Sequence, residues 1–299
     1  MQDLYNFFND LNTEEQRNDP AINVNDIYTN LNANNHQNAP FPSVEIDKCI
    51  KLLNNNKTTG IDNVLNEYIK CTKTQMLPIC VKLFNIILET CYIPSNWSEC
   101  IIIPIVKNKG DSKDPENYRP ITLLSCVGKL FTSILNERLN KHINQNEILQ
   151  ENQAGFRQND STTDHIFTLT SIIEILKHQK NKVCCCYIDF TKAFDSVWRY
   201  GLWQKLLKYE IKGNFFIEIY NMNSNIKSCI RNPVKEPNCY SDFFNCSVGV
   251  CQGENLSPVL FSLFLNDLEE FLVSNNNNGI SLIHQLNYYL SSESYYYFI

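Results

Sequence analysis

Residues 183–198 read VCCCYIDFTKAFDSVW. The first eight positions are apolar except for Asp189, and a short apolar run of this kind is the pattern of a buried strand. Side chains alternate between the faces of a strand, so Cys184, Cys185 and Cys186 cannot all point the same way. An unpaired carboxylate is costly to bury, so Asp189 must stand exposed at the strand end, be paired, or hold a cation. A helical region follows Ala193, in which Asp195 can cap or pair locally. A strand with a charged end running into a helix sets the expectation of a mixed α/β fold.

Upstream, helical spacing begins at Ser43, which can cap, with Ile46, Cys49, Ile50 and Leu53 on one face. A turn at Thr59–Asp62 precedes a second helix over about 76–91, with Leu77, Cys80, Val81, Phe84 and Leu88 inward and a stop at Pro94. The β-branched run 101–106 predicts a strand, and 107–117 a polar turn. Residues 127–143 repeat Leu130, Phe131, Ile134, Leu135 and Leu139 at helical spacing; 162–178 do so with Ile166, Leu169, Ile172, Ile173 and Leu176. Downstream, 214–222 predicts a helix and 226–231 and 243–250 predict strands. Ser257–Pro258 offers a helix start, with Ser257 as N-cap, Pro258 first in the helix, and Leu260, Leu263, Phe264, Leu268 and Phe271 as its buried stripe.

The 299 residues are 43% hydrophobic, 19% charged and 12% aromatic, with 9 Gly and 11 Pro. This composition excludes wholesale disorder and collagen-like repetition. No apolar run is long enough for a transmembrane helix, and the first residues lack the pattern of a signal peptide. An intracellular place, cytoplasmic or nuclear, is therefore expected, and the 13 cysteines are expected to be reduced thiols. No short Cys/His spacing of a zinc site occurs. The net charge of −6 argues against nucleic-acid binding only until it is located: residues 1–50 hold eight acidic and two basic residues, and the remainder is balanced. Residues 1–42, rich in Asn and Asp, are expected to be a poorly ordered leader.

Two further groups can carry chemistry. Gly249-Val250-Cys251-Gln252-Gly253 permits close approach of a planar ligand to the backbone, although a strand-to-helix turn needs glycine anyway. Lys107, Lys109, Lys113 and Arg119 cluster after a strand, where they can bind phosphate or simply be solvated.

In order, IIIPIVKNKGDSKDPENYRPITLLS (101–125), QAGFRQNDSTTDHI (153–166), YIDFTKAFDSVW (187–198) and GVCQGENLSPVLFSLFLNDL (249–268) resemble successive blocks of a reverse transcriptase. The type is that of jockey-like or LINE-like non-LTR retrotransposons. KTTGIDNVLNEYIK (57–70) with IPSNW (93–97) resembles the segment ahead of the fingers in those elements. The resemblance implies an α/β (α+β) right-hand polymerase. It divides the chain into the leader 1–42, a helical segment 43–98, fingers and partial palm over 99–280, and a divergent tail 281–299. It implies an RNA-directed DNA polymerase that uses Mg2+ or Mn2+, an RNA template, a DNA primer and deoxynucleoside triphosphates.

Residue by residue, Asp189 matches the first metal-binding carboxylate and the Phe190 carbonyl a second metal contact. Phe194 matches the aromatic residue beneath the nucleotide sugar. Gln252 and Gly253 match the loop that contacts nucleotide and template, and Arg119 with Lys107 or Lys109 the residues that hold the triphosphate. The match departs in one respect that bears on chemistry: the family's second carboxylate pair is Asp-Asp, and the sequence contains no Asp-Asp and no Asp after Asp267. Asn63, Glu254 and Asn255 stand where the family usually has Gly, Asp and Pro. The expectation is an incomplete palm, no thumb and little or no polymerase activity in this chain. A non-catalytic nucleic-acid-binding remnant is the alternative.

Overall fold

The expected helical periodicities take shape in a computed structural model that describes residues 2–13, 19, 22–28, 36–107, 111, 113–150, 153–157, 161–180, 189–231, 239–274, 280–281 and 295–296. Helices α1 (Gln2–Leu11), α2 (Val24–Tyr28), α3 (Ser43–Leu52), α4 (Asn66–Cys71) and α5 (Lys73–Thr90) precede strands β1 (Glu99–Val106) and β2 (Tyr118–Leu123). Next come α6 (Cys126–Gln145), α7 (Thr162–His178), α8 (Arg199–Lys208), α9 (Gly213–Ser224), β3 (Lys227–Ile230), β4 (Phe244–Asn245), α10 (Ser257–Leu265) and α11 (Leu268–Ser274). The fold is mixed α/β, with a four-stranded sheet in the order β2-β1-β3-β4.

The sheet's register explains its prolines. β1 and β2 are antiparallel, with Pro104 opposite Pro120, and Lys107 N donates to Asn117 O at 2.7 Å. That bond makes the odd-numbered residues of β1 the hydrogen-bonded pairs. Pro104 and Pro120 thus form a non-bonded pair, and the parallel partner β3 extends only to Ile102. Neither proline removes a rung of the ladder.

Most of the core is helical, in one cluster that runs from Ile27 and Phe41 to Leu263. At its centre Phe131 meets Phe41 (5.9 Å between ring centroids), Phe84 (5.2 Å) and Trp97 (5.7 Å). The α6 stripe is buried as the spacing predicts. A second cluster covers the sheet, with Phe8 of α1 fully buried beside Cys100, Ile102, Ile230 and Phe244.

Within residues 1–42 the described parts include α1, α2 and the short helix His36–Asn38. Buried Arg138 of α6 explains how so polar a segment is fixed. It donates to Glu45 (2.9 Å) and to the carbonyls of Gln37 (2.9 Å), Ala39 (2.5 Å) and Pro40 (3.1 Å).

Ser43 does not cap: Pro42 is the N-cap of α3, and Ser43 is its first helical residue. α5 stops before Pro94, at Cys91, whose left-handed φ of 55° ends the helix. Nor does Ser257 cap α10; Leu256 is the N-cap, and buried Glu254 accepts from Leu256 N at 3.0 Å. In α7, Ile172 is buried, whereas Ile166 is 64% exposed. The strand expected over 243–250 is reduced to Phe244–Asn245. The stripe expected to run from Leu260 to Phe271 on one helix is divided between α10 and α11, and Phe271 is exposed. At the break, Asn266 Nδ2 donates to Ile148 O (2.8 Å) and its Oδ1 accepts from Gln150 N (3.1 Å). The strand expected over 183–190, including Cys184–Cys186, lies outside the described residues except for Asp189 and Phe190. The described cysteines are free thiols.

Candidate nucleotide and template site

Asp189 and Phe190 are exposed and lead into a tight turn, in which Asp195 N and Ser196 N both donate to Lys192 O (2.9 and 3.0 Å). The turn puts Phe194 against α10, stacked on Phe261 with ring centroids 5.2 Å apart. Phe190 meets the edge of Phe261 at 6.4 Å, and Phe156 of the 153–157 loop meets Phe194 at 5.9 Å. Four aromatic rings thereby gather three distant blocks of the sequence. Beside them a cleft of about 670 Å³ is lined by Gln153, Phe156, Asp189, Phe190, Phe261 and Glu269, among others.

The glutamine-bearing loop is clamped to the same turn. Gly249 N donates to Val197 O (2.9 Å) and Val250 N to Phe194 O (2.8 Å). Gly249 has φ +73°, and a Cβ there would lie 2.7 Å from the Asp195 carbonyl oxygen, so no other residue fits without a shift. Buried Arg199 holds the approach with three bonds, to the carbonyls of Gly249 (2.8 Å), Cys246 (2.7 Å) and Val248 (3.2 Å). At the far end, Thr122 N donates to Gln252 O (2.9 Å), so the loop satisfies an N–H on the outer edge of β2. Gly253 follows with φ +103°.

Inside this clamp Gln252 Nε2 donates to Asp195 Oδ2 at 2.8 Å. Burial pushes the Asp195 carboxyl up to about 6; the Gln252 bond and the charges of Lys192 and Lys107 oppose that shift. Lys107, at the end of β1, also donates to Glu116 O at 2.8 Å. Arg119 stands exposed on β2 opposite Ile105. The structure thus joins Phe194, Gln252 and Gly253 through one clamp and brings Lys107 into its electrostatic field. Asp189 and Phe190 share the cleft, which Lys107, Arg119, Gln252 and Gly253 do not line. Lys109 lies outside the described residues.

Sequence reasoning left Asp195 as a local cap or pair and passed over Arg199 and Arg138. An arginine inside an otherwise apolar helical stripe is the one signal that could have marked Arg138. Among the described residues no three His, Cys, Asp or Glu side chains group to hold a metal ion. Two carboxylates, Asp189 and Glu269, are on the lining of the cleft.

Residues 106–289 match the family described as reverse transcriptase (RNA-dependent DNA polymerase). Over 229 residues the chain is 34% identical to the "Probable RNA-directed DNA polymerase from transposon BS" of Drosophila melanogaster, covering 77% of this chain and 25% of that protein. It is 28% identical over 231 residues to the corresponding protein of transposon X-element from the same organism, covering 77% and 25%. With the "RNA-directed DNA polymerase from mobile element jockey" of Drosophila funebris it shares 26% over 229 residues, covering 77% and 24%. The chain belongs to the reverse transcriptase family and is a domain of the non-LTR retrotransposon type. It spans about a quarter of the length of these curated relatives. The family implies an RNA template, a DNA primer and deoxynucleoside triphosphates, and generally uses Mg2+ or Mn2+. No helix among the described residues is long and apolar enough to cross a membrane.

Proposed function

We propose that the chain is the template-, primer- and nucleotide-binding part of an RNA-directed DNA polymerase that adds deoxynucleotides to a primer 3′-hydroxyl. The observation that carries this reading is the docking of loop 249–253 on turn 194–197, five residues from Asp189 at the cleft. In right-hand terms, 99–280 are fingers and partial palm, preceded by the helical segment 43–98. Phe194 supports the sugar, Gln252 and Gly253 meet nucleotide and template, and Lys107, Lys109 and Arg119 attract the triphosphate. Asp189, with the Phe190 carbonyl, offers the first contacts to a divalent ion. The place of action is inside the cell, cytoplasmic or nuclear.

The 299 residues by themselves bind nucleic acid without polymerising. Support comes from the missing Asp-Asp pair in the sequence and the lack of a grouped metal-ligand set among the described residues. The test is primer extension on an RNA template with Mg2+ or Mn2+, alongside template–primer binding at several salt concentrations. Salt-sensitive binding with no incorporation is expected. Incorporation that Asp189→Asn abolishes would overturn the non-polymerising reading, and no binding even at low salt would overturn the functional reading as a whole.

A further inference from the structure

We propose that Asp195 is a positioning residue: by accepting the Gln252 Nε2–H it turns the amide nitrogen inward and leaves Oε1 as the atom offered to a hydrogen-bond donor on an incoming nucleoside triphosphate. The proposal rests on the reading of Gln252 as a nucleotide contact and adds what fixes its orientation. A glutamine amide has a donor end and an acceptor end of nearly equal size, and in solution either can face a partner. An ionised carboxylate has no hydrogen to give. At 2.8 Å from Asp195 Oδ2, the end of the Gln252 amide that faces inward is therefore the nitrogen.

Both ends of the bond are held by independent contacts. The Asp195 backbone is tied to Lys192 O and packed against Gly249, and the Gln252 carbonyl is tied to Thr122 N. Val250 N, between them, is bonded to Phe194 O. Burial of Asp195 keeps water from competing for the bond, and Lys192 and Lys107 face the carboxylate with positive charge. The glutamine thus has a preset polarity before any ligand arrives, which lowers the ordering cost of binding.

The test uses the full chain with a bound template–primer and measures the affinity of a complementary deoxynucleoside triphosphate. Asp195→Leu removes the acceptor and is expected to weaken binding about fivefold, the worth of one neutral hydrogen bond. Asp195→Asn, whose amide can face Gln252 with either its acceptor or its donor end, no longer fixes the polarity and is expected to recover only part of that loss. In a Gln252→Ala background, Asp195→Leu is expected to cause no further weakening, because the two residues act as one unit. Equal weakening in both backgrounds would mean that Asp195 acts through the fold alone, and would overturn the proposal. A second readout avoids any reliance on the leucine variant's folding. In the ligand-free wild-type chain, the Gln252 side-chain amide, assigned with Gln252→Ala, should be protected from solvent exchange. A freely exchanging amide overturns the proposal. If the chain binds template–primer and nucleotide but the two residues are uncoupled, only this inference fails. If wild type binds no nucleotide, the functional reading fails and the inference with it.

Discussion

The side-chain amide of Gln252 reaches 57 positions back along the chain to the carboxylate of Asp195, at 2.8 Å. Asp195 is 8% exposed, and that amide together with Lys192 and Lys107 supports its charge. Burial outweighs these contributions and raises the carboxyl from an ordinary 3.8 to about 6. The folded chain thus holds this proton more tightly than the unfolded chain. The contribution to stability is fully present at low pH and is lost as pH rises through that interval. Asp195→Asn is expected to remove this slope, which urea-denaturation midpoints measured from pH 4 to pH 7 will reveal.

Glu218 of α9 gives the same sign over a wider window. Both of its carboxyl oxygens are buried without a hydrogen-bond partner. Burial raises the group from 4.5 to about 8, and the charge of Arg138 offsets this only in part. Stability should fall as pH rises across that range and level off above it. Glu218→Gln is expected to flatten the profile and to stabilise the chain at pH 8 by about 1–3 kcal/mol. Because Asp195 has finished titrating by then, the difference between the wild-type and Glu218→Gln profiles at pH 7 to 8.5 reads this effect above the slope that Glu254 and the buried thiols give both chains.

Arg138 joins the leader to the helical core. Replacement by Met keeps an aliphatic stem but removes the guanidinium that lies over the Phe41 ring, 4.1 Å from its centroid, and that donates to the carbonyls of Gln37, Ala39 and Pro40. A loss of about 2–4 kcal/mol is expected. Limited proteolysis should then cut ahead of Ser43 sooner than in the wild-type chain.

Gly249→Ala places a methyl group 2.7 Å from the Asp195 carbonyl oxygen at a φ of +73°. Strain and clash together should cost about 2 kcal/mol or more. The same variant should weaken nucleotide binding, because the displaced loop carries Gln252. Calorimetric melting and nucleotide titration check the two effects separately.

For nucleotide affinity, Lys107→Ala and Arg119→Ala should each weaken binding of a deoxynucleoside triphosphate, whatever its base, and reduce the salt slope by about one. Asp189→Asn should leave that slope no smaller, since it removes no positive charge. Fluorescence anisotropy over a salt series measures all three.

Much of this protein is determined by sequence alone. The four blocks in order carry the family, and the spacing from Leu130 to Leu139 fixes the buried face of α6. These are local signals, because periodicity reports how each residue meets the core without naming its partner. The tertiary structure decided what depends on partners. Asp195 became the acceptor for Gln252, and Arg138 fixed the backbone of residues 37–40. Asn266 interrupted a helix by bonding to Ile148 and Gln150. Each pairing joins residues far apart in the chain, and a hydrogen bond between them leaves no trace in the composition around either one. The polar, weakly patterned stretch 1–42 likewise gives no sign of the contacts that its described parts make with α6 and the sheet.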